Sequence, residues 1–176
     1  MPRFVVVLPF SALRPGDAFL RSAWPPHVTV GRNRSGEARH PEVAEALAPI
    51  AQMTAPLAVR LDGEAMFGPS ADLPVDLVSS TPPLRTLHDR ITAAVLRLGG
   101  VLEEPHHAGD GFRPHVTRTD GPAPPGEATL RHLVLVSMDP DDVGRLAVRW
   151  AGGLTGDDGR GGGPSASARP TSGPRS

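Results

Sequence analysis

The sequence predicts an α+β domain, and three observations carry that reading. Short β-rich runs such as Phe4-Val5-Val6-Val7-Leu8 recur along the chain. Two longer stretches place apolar residues at helical spacing. The 176 residues, 39% of them hydrophobic, suffice for one domain with a proper core.

Taken in order, Arg3 to Leu8 reads as a buried strand, Gly16 to Ser22 as a short helix, and His27 to Gly31 as a second strand. Pro41 to Met53 follows as a helix with Val43, Leu47 and Ile50 on one side, and Pro49 is expected to kink or split it. Leu57 to Leu61 and Val75 to Ser79 read as short strands separated by a turn containing Gly and Pro. The clearest element is a helix capped by Thr81, opened by Pro82 and Pro83, striped by Leu84, Leu87, Ile91, Ala94 and Leu98, and ended by Gly99-Gly100. Strands then resume at His115 to Thr119, Thr129 to Ser137 and Leu146 to Trp150. From Gly153 to Ser176 most positions are Gly, Pro or Ser. Such a stretch buries too little to offset its ordering entropy, so residues 1–152 are the expected domain and 153–176 a disordered tail.

Composition excludes several chemistries. Cysteine is absent, so disulfides, thiolate nucleophiles and iron-sulfur clusters are ruled out. All 18 basic residues are Arg, which removes Schiff-base and phosphate-loop lysines and leaves planar, bidentate cations. A net charge of -1 argues against a broad grip on long nucleic acid, while a small or terminal phosphate remains within reach. No apolar run is long enough to span a bilayer and no signal-peptide cleavage site follows the first strand, so no membrane partner and a cytoplasmic address are expected.

One tetrapeptide occurs twice. Pro26-His27-Val28-Thr29 and Pro114-His115-Val116-Thr117 are identical, and each stands at the start of a strand. A single His-x-Thr means little in a chain with seven His, whereas the duplicated tetrapeptide has a chance probability on the order of 10⁻⁵. In a strand, residues i and i+2 share a face, so each copy presents one imidazole and one hydroxyl while Val28 and Val116 turn to the core. Two copies across a cleft would supply one group to take a proton and another to give one, with two hydroxyls for the nonbridging oxygens of a phosphate. That set suits phosphodiester cleavage and calls for no metal and no cofactor.

With these residues the chain resembles the two-histidine (2H) phosphoesterase superfamily, which includes bacterial 2'-5' RNA ligase and RNA 2',3'-cyclic phosphodiesterase proteins. The opening strand Arg3 to Pro9 and Met66-Phe67-Gly68 support the resemblance, which covers about residues 3 to 150. It implies a bilobal α+β fold, with two pseudo-symmetric lobes of antiparallel strands and flanking helices around a central cleft. It also implies metal-independent hydrolysis of 2',3'-cyclic phosphate ends of RNA or of a small nucleotide, with 2'-5' ligation as the reverse direction. By the same resemblance His27 is the general acid, His115 the general base, and Thr29 and Thr117 hold the phosphate. After the first motif relatives tend to continue apolar, where this chain has Gly31-Arg32-Asn33-Arg34.

Residues outside the two motifs have readings of their own. Arg113, two positions before His115, is a further phosphate-binding candidate, and Phe112 is expected in the core. His106, His107 and Asp110 do not make a metal site, because adjacent side chains on extended backbone diverge and no further ligands stand at recognised spacing. His88, beside the apolar stripe of its helix, and His40 are expected to be structural. The expected partner is an RNA 3' end or a small cyclic nucleotide, with no obligate protein partner. The alternatives are a phosphodiesterase for another nucleotide, such as a cyclic ADP-ribose phosphate or a 2'-5' oligonucleotide, and a nucleotide-binding module without turnover.

Overall fold

The computed structural model describes residues 2–102 and 111–157. Their elements run β1 (Phe4–Pro9), β2 (Ala18–Leu20), one 3-10 turn (Arg21–Ala23), β3 (His27–Asn33), β4 (Ser35–Gly36), α1 (His40–Gln52), β5 (Leu57–Phe67) and β6 (Leu73–Val78). They continue with α2 (Pro82–Arg97), β7 (Gly100–Val101), β8 (His115–Thr117), β9 (Glu127–Leu130), β10 (His132–Ser137) and β11 (Arg145–Gly153). The fold is α+β. One sheet has the order β2-β11-β10-β1-β3 and another β8-β6-β5-β9, with β4 and β7 forming a small ribbon. Their pairings are antiparallel.

The larger sheet is apolar on both faces. Phe4, Val6 and Leu8 of β1 point into the main core with Val28 and Val30, the inner sides of α1 and α2, and Val59, Val78 and Val116 of the second sheet. Val5 and Val7 point the other way, into a smaller core with Trp24, Val134, Val136 and Val148. Because Val28 and Val116 meet in one core, the two motif strands are anchored to the same packed interior. Each is the edge strand of its sheet, and β3 and β8 touch each other.

Several sequence expectations change. Gly16 to Ser22 is not a helix: Ala18 to Leu20 pair with Arg145 to Ala147, and only Arg21–Ala23 turns helically. The α1 helix runs unbroken through Pro49, which lies on the solvent side near exposed Glu45, whose carbonyl would otherwise bond its missing N–H. Thr81 occupies the position before α2, but its side chain makes no capping bond. Thr129 to Ser137 is two strands: β9 pairs with β5 in one sheet, β10 pairs with β1 and β11 in the other, and the chain crosses over at Arg131. The boundary at residue 152 also moves. Gly153 ends β11, Leu154 is 4% exposed in the main core, and the Thr155 N–H reaches the Ala51 carbonyl. One large apolar residue with backbone partners is enough to hold 153–157 against the fold despite their composition. His106, His107 and Asp110 and the remainder of the tail lie outside the described residues.

Candidate active site

Each motif begins with a proline whose ring restricts the preceding residue to extended backbone. In both copies the result is the same local lock. The Nδ1–H of His27 donates to the Pro25 carbonyl at 2.8 Å, and the Nδ1–H of His115 donates to the Arg113 carbonyl at 2.8 Å. A carbonyl only accepts, so each Nδ1 carries the proton and Nε2 is the ring nitrogen without one in the neutral imidazole.

The two motifs open onto adjoining cavities. One, of about 570 Å³, is lined by Thr29, Arg32, Phe67, Arg113 and His115 among others. Its neighbour is lined by His27, Thr29, Arg32 and Thr117. Thr29 and Arg32 lie on the wall between them. The four motif side chains expected from the sequence thus line two adjoining cavities, His115 in the first, His27 and Thr117 in the second and Thr29 in both. Arg113 lines the first cavity, with its guanidinium 5.0 Å from the centre of the Phe67 ring, while its carbonyl orients His115.

The surroundings of the imidazoles differ. His27 is buried, with its ring 4.3 Å from that of Trp24 at a tilt of 31°. Burial holds its pKa at about 4, below the ordinary 6.5; the Pro25 carbonyl opposes this, and the positive charges of Arg32 and His115 add to it. His115 is half-buried and meets the edge of Phe67 at 4.7 Å.

Braces join the motifs on both sides of the groove. His88 of α2 donates from Nδ1 to the Val30 carbonyl at 3.0 Å and stacks flat on Phe112, with ring centres 3.9 Å apart. Phe112 is buried as expected and adjoins Arg113, so His88 connects the strand of His27 to the residue that orients His115. Opposite, the Thr119 hydroxyl donates to the Trp24 carbonyl at 3.0 Å, and the Asp120 N–H to the Ser22 carbonyl. Arg118 pairs with Asp76 and Glu64, holding the end of β8 against β5 and β6, and these partners push its pKa up. Sequence reasoning did not assign Phe67 or His88 to the site, because each lies far from the motifs in the chain, and it passed over Trp24, which stands three residues before His27. The Arg32 position was visible, but its direction was not.

Comparisons with known proteins bear on the family and the fold. A family model, described as the 2'-5' RNA ligase superfamily, matches residues 9–134 and so spans both motifs. Among solved structures, TT0787 of Thermus thermophilus superposes with a TM-score of 0.59 at 22% identity, covering 88% of this chain and 99% of that one. LigT of E. coli complexed with 3'-AMP gives 0.57 at 16% identity, with 88% and 99% covered. A structure described only as a phosphoesterase gives 0.57 at 14%, with the same coverage. These likenesses concern the fold. A search of curated proteins found no match.

Proposed function

The chain belongs to the 2'-5' RNA ligase superfamily, and from that premise we propose that it is a phosphoesterase hydrolysing 2',3'-cyclic phosphates on RNA ends or on a small nucleotide. The observation that carries this reading is the repeated lock: two His-Val-Thr strands, each with Nδ1 tied to the carbonyl two residues back, lining adjoining cavities that share Thr29 and Arg32. Such tying selects one tautomer and orients the ring, as proton transfer at Nε2 requires.

In this reading water attacks the phosphorus and gives its proton to Nε2 of His115. The bond from phosphorus to one ribose oxygen breaks, and that oxygen takes a proton from Nε2 of His27. Thr29 and Thr117 donate to the nonbridging oxygens, where charge grows in the transition state. A pKa near 4 makes His27 a strong acid that is seldom charged in the free protein. An anionic phosphate in the groove raises its proton affinity, so the substrate itself arms the acid. Support for a nucleotide comes from the relative LigT, crystallised with 3'-AMP.

The test is turnover of nucleoside and oligonucleotide 2',3'-cyclic phosphates in excess chelator, with the linkage of the product phosphate determined. Hydrolysis to a monophosphate is the expected result. Binding without hydrolysis in any of these substrates would instead establish a nucleotide-binding module, which needs the donors but not a matched acid and base.

A further inference from the structure

The β1–β3 ladder carries a bulge. Val7 pairs with Thr29 and Val6 with Gly31, so Val30 is an extra residue on β3. Without it, alternation would turn Gly31 to the groove and Arg32 to the core. The observed facing is the reverse. Val30 lies in the main core, and a Cβ on Gly31 would stand 2.5 Å from Ile91 Cγ2, so Gly31 faces α2. Arg32 then turns to the groove beside His27 and Thr29, and buried Asn33 turns inward, where its amide donates to the Pro2 carbonyl. The His88 bond to the Val30 carbonyl fastens the bulge itself.

Downstream of Arg32 the second cavity is rich in cations. Arg21 and Arg34 also line it, as do Arg3 and Arg118, which are paired with Asp139 and with Asp76 and Glu64. Asp120 is the one acid lining it among the described residues. On a chain with a net charge of -1, this is a local concentration of planar guanidinium groups suited to phosphate. The first cavity has Met66, Phe67 and Leu73 on its wall, which suit a base.

Resting on the phosphoesterase reading above, we propose that Arg32, Arg34 and Arg21 form a second phosphate subsite, so that the preferred substrate carries another phosphate besides the cyclic one. That phosphate is either the 5'-phosphate of a mononucleotide or the internal phosphodiester of an oligonucleotide. The bulge is what assigns Arg32 to this role.

The experiment compares kcat/KM for adenosine 2',3'-cyclic phosphate, the same compound with a 5'-phosphate, and a 5'-hydroxyl diadenosine ending in a 2',3'-cyclic phosphate. One or both two-phosphate substrates should be favoured by about 10- to 100-fold, mainly through KM, as charge-assisted hydrogen bonds to one phosphate provide. Which of the two is favoured identifies the source. In Arg32→Gln/Arg34→Gln the preference should fall to within about threefold, with folding checked by circular dichroism. Equal kcat/KM for all three substrates, or a preference that survives the double variant, overturns the subsite while leaving the cyclic phosphodiesterase reading intact. If none is hydrolysed, that reading fails and the subsite is judged by titration. Adenosine 3',5'-bisphosphate should then bind about 10-fold or more tightly than 3'-AMP, and lose this in the double variant, whereas equal affinities overturn the proposal.

Discussion

The two copies of Pro-His-Val-Thr are identical in sequence and in their local lock, yet they sit in different surroundings. His27 is 8% exposed beneath Trp24, with a pKa lowered to about 4, while His115 is half-buried at the edge of Phe67 and beside the exposed Arg113. The same short stretch therefore fixes which nitrogen of each imidazole carries the proton. At His27, burial then sets how weakly the ring holds a second proton. If the pair works as acid and base, position relative to the attacking and leaving oxygens divides the tasks, and the burial of His27 tunes only its own share.

The sharpest way to break the comparison is to remove each imidazole. His27→Ala and His115→Ala should each lower kcat/KM for a 2',3'-cyclic phosphate by roughly 10²- to 10⁴-fold. A substrate with a nitrophenolate leaving group scarcely needs an acid, so it should restore turnover in His27→Ala and leave His115→Ala inactive. Rescue of His115→Ala instead would reverse the roles. A pH profile of the wild type does not assign them, because the limbs of a bell give pKa values without naming their owners. It should nevertheless show an acid limb near pH 4 in kcat/KM, set by His27 in the free protein.

The burial of His27 has its own signature in stability. Between pH 6.5 and about 4 the unfolded chain binds a proton at this imidazole and the folded chain does not. Stability is therefore full above pH 6.5 and falls as pH drops through this window, by about 3 kcal/mol from this group. Denaturant melts from pH 7 to 4 should show the fall, with His40 and His88 adding to it in the same direction. In His27→Asn the slope should be visibly shallower; an unchanged slope would remove the distinction between the two copies.

Smaller effects are expected from the hydroxyls. Thr29→Ala and Thr117→Ala each delete one of several phosphate donors and should cost on the order of 10- to 100-fold in kcat/KM. Thr29 borders both cavities and Thr117 only the second, so the loss at Thr29 is expected to be the greater. Equal losses would mean that the phosphate sits symmetrically between the copies.

The smallest predicted change tests the brace rather than either motif. His88→Phe keeps a ring against Phe112 but leaves the Val30 carbonyl without that donor. It should lower stability in urea by about 1 to 2 kcal/mol, and reduce kcat more than it raises KM, since both motifs are still present but less firmly aligned. His88→Asn, which retains an N–H donor, should recover part of the kcat. A variant with wild-type kcat would show that the motifs hold their places without it.

Much of the fold was legible because its signals are local. The stripe from Leu84 to Leu98 and the aliphatic run at Phe4 declare a helix and a strand by periodicity alone. Errors arose where a distant partner decided the outcome. Ala18 to Leu20 form a strand because β11 lies alongside them, and Thr129 to Ser137 divide because two different sheets claim the two halves. Leu154 is held in place by a core pocket that tail composition conceals.

The candidate site divides along the same line. By itself the sequence determined the duplicated motif, the residues in it, the prolines that set its backbone and the valines that anchor it, since all act over one to three residues. It also established that cysteine and lysine chemistry are absent. The tertiary structure alone decided that β3 and β8 face each other as edge strands, that His27 is buried while Phe67 meets His115 edge-on, and that His88 ties one motif to the other. It also decided the direction of Arg32, because a bulge reverses alternation only through pairing with β1. The physical reason is range: torsional preference and i, i+2 alternation are written in neighbouring residues, whereas desolvation, ring contact and strand register depend on groups brought together from distant parts of the chain.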